Sequence, residues 1–250
     1  MDLYSKNYSF WDLFSKTSEI FRNNFKYLLL ISLIIYLPLN IILEYVSQFI
    51  LSEDFTLKEF SNYTKLAGFL QSVLWVIAEI FIIFLVKWYI DGKEETFNGY
   101  LKNSFSFWWK GALANIYYSI MVWLLLILLI VPWIIFAFYW IFFLQILVLK
   151  DKKVNYLKYS KELVKWKWWN IFWNIIVLYL ILIVFSIWLW IIQGIYPFLD
   201  NLYANILVGY LLDFINIFIL IFITLKFLNL DGIKSKKFEE IKNENEAVEL

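Results

Sequence analysis

Hydrophobic positions in this chain come in long unbroken blocks rather than at the short periods of soluble helices and strands. The longest block is Gly111–Leu149, 39 residues without a charge, closed by Lys110 before it and Lys150 after it. As a single helix it would reach roughly 58 Å, and the hydrocarbon core of a bilayer is about 30 Å thick. Two spans fit that length and one does not. Lipid offers no partner to bare backbone, so both must be helical. The block predicts a hairpin that crosses, turns near Val131-Pro132 and returns to the side it left. Four further apolar segments, Tyr27–Ile50, Leu66–Ile90, Ile171–Ile192 and Leu202–Leu225, are each close to one span long. The pattern predicts an all-α, polytopic bundle of six transmembrane helices at about 27–50, 66–90, 111–131, 132–149, 171–193 and 202–226. These form one membrane domain, residues 1–233, and a charged tail, 234–250, is expected to be frayed helix or disordered.

The segments between the blocks are amphipathic. Phe10, Phe14, Phe21 and Phe25 share one helical face before the first span. Phe97, Leu101, Phe105 and Trp108 repeat the stripe before the third. Tyr156, Tyr159, Leu163 and Trp166 repeat it before the fifth, with Lys158, Lys161 and Lys165 opposite. Such stripes predict three amphipathic interfacial helices lying in the headgroup layer, apolar side down. Aromatic-basic steps lead from them into the bilayer: Phe25-Lys26, Trp108-Trp109-Lys110 and Lys167-Trp168-Trp169. The chain thus reads as three copies of one unit, surface helix, span in and span out, and threefold internal duplication is expected.

Charge sets the orientation. With the N-terminus inside, 20 of the 22 basic residues fall on the cytoplasmic side, and only Lys58 and Lys65 fall outside. Basic residues crowd cytoplasmic loops, so both termini are expected in the cytoplasm and the protein in the bacterial inner (plasma) membrane. The first 26 residues are polar and mixed in charge, unlike a signal peptide, whose apolar core would stand there.

Composition narrows the chemistry. Hydrophobic residues make up 62% of the chain, against about 45–50% in soluble proteins. There is no Cys and no His. Thiolate and imidazole ligands are therefore missing, which removes most zinc, copper and haem sites, and no Ser-His or Cys-His dyad can form. No Walker signature or phosphate-binding Gly loop is present. No metal, cofactor or catalytic residue is expected.

Three carboxylates fall within predicted spans: Glu44, Glu79 and Asp213. An acid at mid-span costs about 2.5–3.5 kcal/mol on insertion scales. Asp213 shares a helical face with Asn216, and Asn115, Gln145, Asn174 and Gln193 add polar points in other spans. One reading makes these acids a polar cavity or proton path. The other makes Glu79 a protonated group hydrogen-bonded to another helix as packing glue. The basic aromatic set Lys158, Lys161, Lys165, Trp166, Trp168, Trp169, Trp108, Trp109 and Lys110 fits a membrane surface. Membrane lipids, anionic ones included, are the expected partners at roughly 1 kcal/mol per Lys, beside a membrane protein partner. With aromatics on one face and Lys on the other, the segment does not suit base stacking, and no nucleic acid is expected.

The stretch from Pro132 to Trp169 carries a recognisable order: Pro132, Ile134, Phe142-Phe143, Val148-Leu149, then Ser160, Leu163-Val164-Lys165 and Trp168-Trp169. It resembles the bacterial families related to the glycerophosphoryl diester phosphodiesterase membrane domain and similar six-span proteins. Their form is a Pro-Gly apex followed by a Ser-x-x-Leu-Val-x-Gly-x-Trp-Trp helix. The opening from Phe14 to Pro38 looks like that family's first unit. Trp133 stands where the apex Gly is usual, and Trp166 where the second Gly is usual. The resemblance implies a fold. It does not imply the phosphodiesterase activity, which in fused relatives belongs to a separate soluble domain that uses His and metal-binding carboxylates. Three functions remain to be separated. The leading expectation is a non-enzymatic accessory or scaffold in envelope or lipid homeostasis. Second is a small transporter or channel using Glu79 and Asp213, for which both acids must face one cavity. A lipid-acting enzyme comes last.

Overall fold

The computed structural model describes residues 7–50, 56–128, 130–150, 154–196 and 201–248. Among them all regular structure is helical: α1 (Phe10–Asn23), α2 (Phe25–Ile50), α3 (Leu57–Ile90), α4 (Phe97–Leu128), α5 (Ile130–Tyr139), α6 (Phe143–Leu149), α7 (Tyr156–Lys165), α8 (Trp168–Ile195) and α9 (Leu202–Val248). Among the described residues four helical stretches are long and apolar enough to cross a membrane: Phe25–Ile50, Leu57–Ile90, Trp168–Ile195 and Leu202–Lys236. A shorter apolar stretch runs from Ile134 to Leu149.

Several boundaries differ from those the hydropathy pattern predicts. α3 begins at Leu57, nine residues before the predicted span, because Thr56 and Glu59 close a reciprocal capping box on its first turn. Lys58 and Lys65, expected in an outer loop, therefore stand on its first turns. α4 is one continuous helix of 32 residues, so the amphipathic segment from Phe97 to Lys110 is not a separate surface helix. No Pro interrupts it, and each next turn can propagate from the last. α9 runs on through Val248, so most of the predicted tail is helical. Residues 51–55 and 197–200 of the predicted outer loops, with Lys6, Lys152 and Lys153, lie outside the described residues.

The hairpin is antiparallel. The Tyr118 ring stacks on Phe143 at 4.9 Å and meets Trp140 edge-on at 6.3 Å, while Lys110 and Lys150 border one groove. Val131 and Pro132 stand in the first turn of α5, where a helix tolerates Pro because the missing N–H had no partner to lose. Leu129, between α4 and α5, lies outside the described residues. The return arm is not one helix. It breaks at Trp140–Phe142, where Ile141 and Phe143 donate to the third carbonyl back. The buried Phe142 N–H donates instead to Ser160 Oγ of α7 at 3.2 Å. A buried backbone N–H outside a regular helix needs such a partner.

α1 departs from the expected surface helix in another way. Its Phe stripe packs on α9 rather than being left to lipid: Phe10 meets Phe222 at 5.4 Å, Phe14 meets Phe218 at 5.1 Å and Phe21 meets Phe214 at 5.4 Å. Tyr8 N–H donates to Asn229 Oδ1 at the end of this ladder. α3 and α4 approach closely at Gly111, where an added Cβ would fall 2.9 Å from Ile80 Cδ1 and 3.0 Å from Val76 Cγ2. The two helices can come this close there because that position carries no side chain.

Candidate functional site

Inside the bundle lies a cavity of about 280 Å³ lined from α2, α3, α4, α6, α8 and α9 and from the α5–α6 break. Two of the acids singled out by sequence, Glu79 of α3 and Asp213 of α9, share it. Asn216 lies one turn beyond Asp213 and lines it as well, together with Asn115 and Gln145. Four aromatic side chains, Tyr36, Trp75, Tyr118 and Tyr179, complete the polar wall.

The two acids are held differently. Asp213 is 7% exposed, and Asn40 Nδ2 donates to its Oδ2 at 2.6 Å while also donating to the Tyr36 carbonyl. Asn40 follows Pro38 inside α2. No described residue donates to the Glu79 carboxylate, and no described Lys or Arg lines the cavity. Lys226, 1% exposed, points elsewhere and donates to Asn170 Oδ1 at 2.6 Å. Gln145 is 2% exposed, yet its Oε1 meets no donor, and buried Trp75 Nε1 meets no acceptor. An unmet polar atom in a dry interior costs about 1–3 kcal/mol. These groups are therefore a standing expense to the fold.

Glu44, named with the other acids, is not part of this site. It accepts from Asn205 Nδ2 at 3.2 Å, and Asn205 Oδ1 accepts from Gln193 Nε2 at 3.1 Å. That chain of three polar groups joins α2, α8 and α9 away from the cavity lining. The Tyr walls are what the sequence reading missed. Their signal was position: Tyr36, Tyr118 and Tyr179 stand well inside apolar blocks, whereas lipid-facing Tyr collects at the membrane boundaries.

The basic aromatic set divides. Lys110, Lys158, Lys161, Lys165, Trp109, Trp166 and Trp169 are exposed. Trp108 and Trp168 turn inward: Trp108 Nε1 donates to the Val73 carbonyl at 2.7 Å, and Trp168 stacks on Phe172 at 4.9 Å. Lys161 sits over the rings of Phe136 and Tyr139.

A second polar cluster ties α6, α7 and α9 together. Lys150 pairs with Asp231 at 2.7 Å, and Tyr159 Oη donates to the same carboxylate at 2.6 Å. Lys234 pairs with Glu162 at 2.8 Å and lies 4.2 Å from the centre of the Tyr159 ring. Burial first, and then the bond to Asp231, hold the Tyr159 hydroxyl well above its ordinary range. The hydrogen bond from Lys234 holds Glu162 below the ordinary carboxylate value.

Among the described residues no three acids converge as a metal cage. Comparison with family models, with curated proteins and with solved structures finds no match to this chain.

Proposed function

We propose that this chain is a non-enzymatic inner-membrane protein of six spans that binds a small polar solute within the bundle and passes it across, as a small transporter or channel. The observation that carries this reading is the joint placement of Glu79 and Asp213 on one cavity. The packing-glue alternative requires a protonated Glu79 to hydrogen-bond to a group on another helix, and among the described residues Glu79 makes no hydrogen bond. The accessory or scaffold role in envelope or lipid homeostasis has no such observation behind it, and the cavity rather than the Pro132–Trp169 pattern supports the transport reading.

Six spans follow if the α4–α5–α6 hairpin completes two crossings beside the four long helices, with both termini cytoplasmic. Interfacial roles for α1, the start of α4 and α7, and a common ancestry of the three units, belong to the same proposal. The absence of native Cys makes topology directly testable. Single Cys at Lys102 or Lys158 is expected to resist a membrane-impermeant maleimide in intact cells, and Cys at Lys58 to react. Reaction at Lys102 would reverse the orientation.

Function is tested by current across proteoliposomes on a solid-supported membrane, stepped through protons, alkali cations and small amines. At least one step is expected to give a transient in the native protein that Glu79→Gln abolishes. Silence in every step would remove the polar-path reading.

A further inference from the structure

Resting on that reading, we infer that the solute is a small organic ammonium ion, a protonated amine or a quaternary ammonium, held between Glu79 and the aromatic side of the cavity. The sign of the charge comes from the lining. Among the described residues it contains two acids, three carboxamides and five aromatic side chains, and no basic group. Among the described residues two of its acceptor groups go unmet, the Glu79 carboxylate and the buried Gln145 Oε1, against one unmet donor, Trp75 Nε1. A site with surplus acceptors is completed by a ligand that donates or carries positive charge. An anion would meet two carboxylates with nothing to offset them.

The same walls separate an ammonium from a metal ion. A dehydrated Ca²⁺ needs 6–8 oxygens at about 2.3–2.6 Å, and Mg²⁺ a near-ideal octahedron. The described residues offer no cluster of three acids. Instead five aromatic residues, Tyr36, Trp75, Tyr118, Phe143 and Tyr179, border it. Ring faces attract cations, most strongly when both are desolvated, and aromatic cages are the usual receptors for alkylated ammonium. The volume, about 280 Å³, stands just under the range of roughly 300–1,000 Å³ typical of small-molecule sites, and it admits a small amine or quaternary ammonium.

The experiment uses the full chain in lipid nanodiscs and equilibrium binding of radiolabelled choline. Competitors are tetramethylammonium and 3,3-dimethylbutan-1-ol, the neutral isostere in which carbon replaces nitrogen. Saturable choline binding is expected, displaced by tetramethylammonium and left intact by the isostere. Glu79→Gln is expected to weaken it at least tenfold. Tyr118→Leu, which keeps the acids and removes one ring, is expected to weaken it several-fold while the protein elutes as the native species, so a folding defect in Glu79→Gln does not decide the matter. Equal displacement by the isostere would show an apolar cavity indifferent to charge and overturn the inference. Absence of saturable choline binding, with Glu79-dependent current from protons or alkali cations intact, would overturn the ammonium assignment and leave the polar path standing. Loss of both would overturn the two together.

Discussion

Two polar clusters in this protein are built on opposite terms. At the junction of α6, α7 and α9, Asp231 receives both Lys150 and Tyr159, and Glu162 receives Lys234. Each of these groups answers another, so the cluster fastens three helices. In the central cavity both acids line open volume, Asp213 is held by the neutral Asn40, and among the described residues Gln145 Oε1 and Trp75 Nε1 meet no partner and no cation offsets Glu79 or Asp213. A buried charge kept for stability is paired. The difference teaches that the same residue types can fasten helices in one place and line an open cavity in the other, and that satisfaction of the groups, not their identity, tells which.

The comparison can be broken by mutation. Asp231→Ala removes the acceptor of two groups at once and is expected to destabilise the protein by about 3 kcal/mol, the scale for orphaning one side of a mostly buried pair. The check is the thermal midpoint in nanodiscs at a fixed scan rate, since membrane proteins often unfold irreversibly. The double change Lys150→Met with Asp231→Leu is expected to recover part of that loss, because a paired apolar replacement leaves one fewer charge without its counterpart. If the single and double variants melt together, Asp231 is not the fastener. Ser160→Ala follows at about 2 kcal/mol, since it strips the acceptor from the buried Phe142 N–H at the helix break. An unchanged midpoint there would mean that water or another group meets that N–H. None of these three variants is expected to alter solute binding.

Much of the helix content was legible because lipid imposes one rule: a long uncharged block must be helix. The antiparallel return after Gly111–Leu149 follows from length alone. The cover on the Phe10–Phe25 stripe was not legible. Amphipathicity says that a face meets something apolar, and lipid tails and the Phe residues of α9 satisfy it equally. The break at Trp140–Phe142 was hidden for a related reason. It depends on a hydroxyl 18 residues further along the chain, and no Gly or Pro marks it locally. Glu79 and Asp213 stood out in the sequence because each is costly where it sits, but a cost per residue carries no direction. That they share a cavity with Asn216 while Glu44 joins Asn205 instead is decided by how α2, α3 and α9 pack. Gly111 marks one such approach, visible in sequence only as a small residue at the start of a block.

A change of sign sharpens the comparison further. Gln145→Leu keeps nearly the same volume and removes a carboxamide whose oxygen is unmet, so stability is expected to hold or rise by up to about 1 kcal/mol while choline binding falls. A drop of more than about 1 kcal/mol would show that Gln145 is fastened after all. The smallest effect belongs to Glu162, whose acidity is raised mainly by Lys234. A carboxylate with a folded pKa below its unfolded value contributes stability that is present above the unfolded pKa and lost as pH falls through the folded one. The pair is half exposed on the Glu162 side, so solvent screens it and the loss is expected to be a few tenths of a kcal/mol. Melting followed downward from neutral pH should fall slightly less in Glu162→Gln than in the native chain, with the difference confined to the region below the ordinary carboxylate value. Parallel curves through that region would leave the Lys150–Asp231–Tyr159 group as the whole of the fastening, with Lys234 merely resting on the Tyr159 ring.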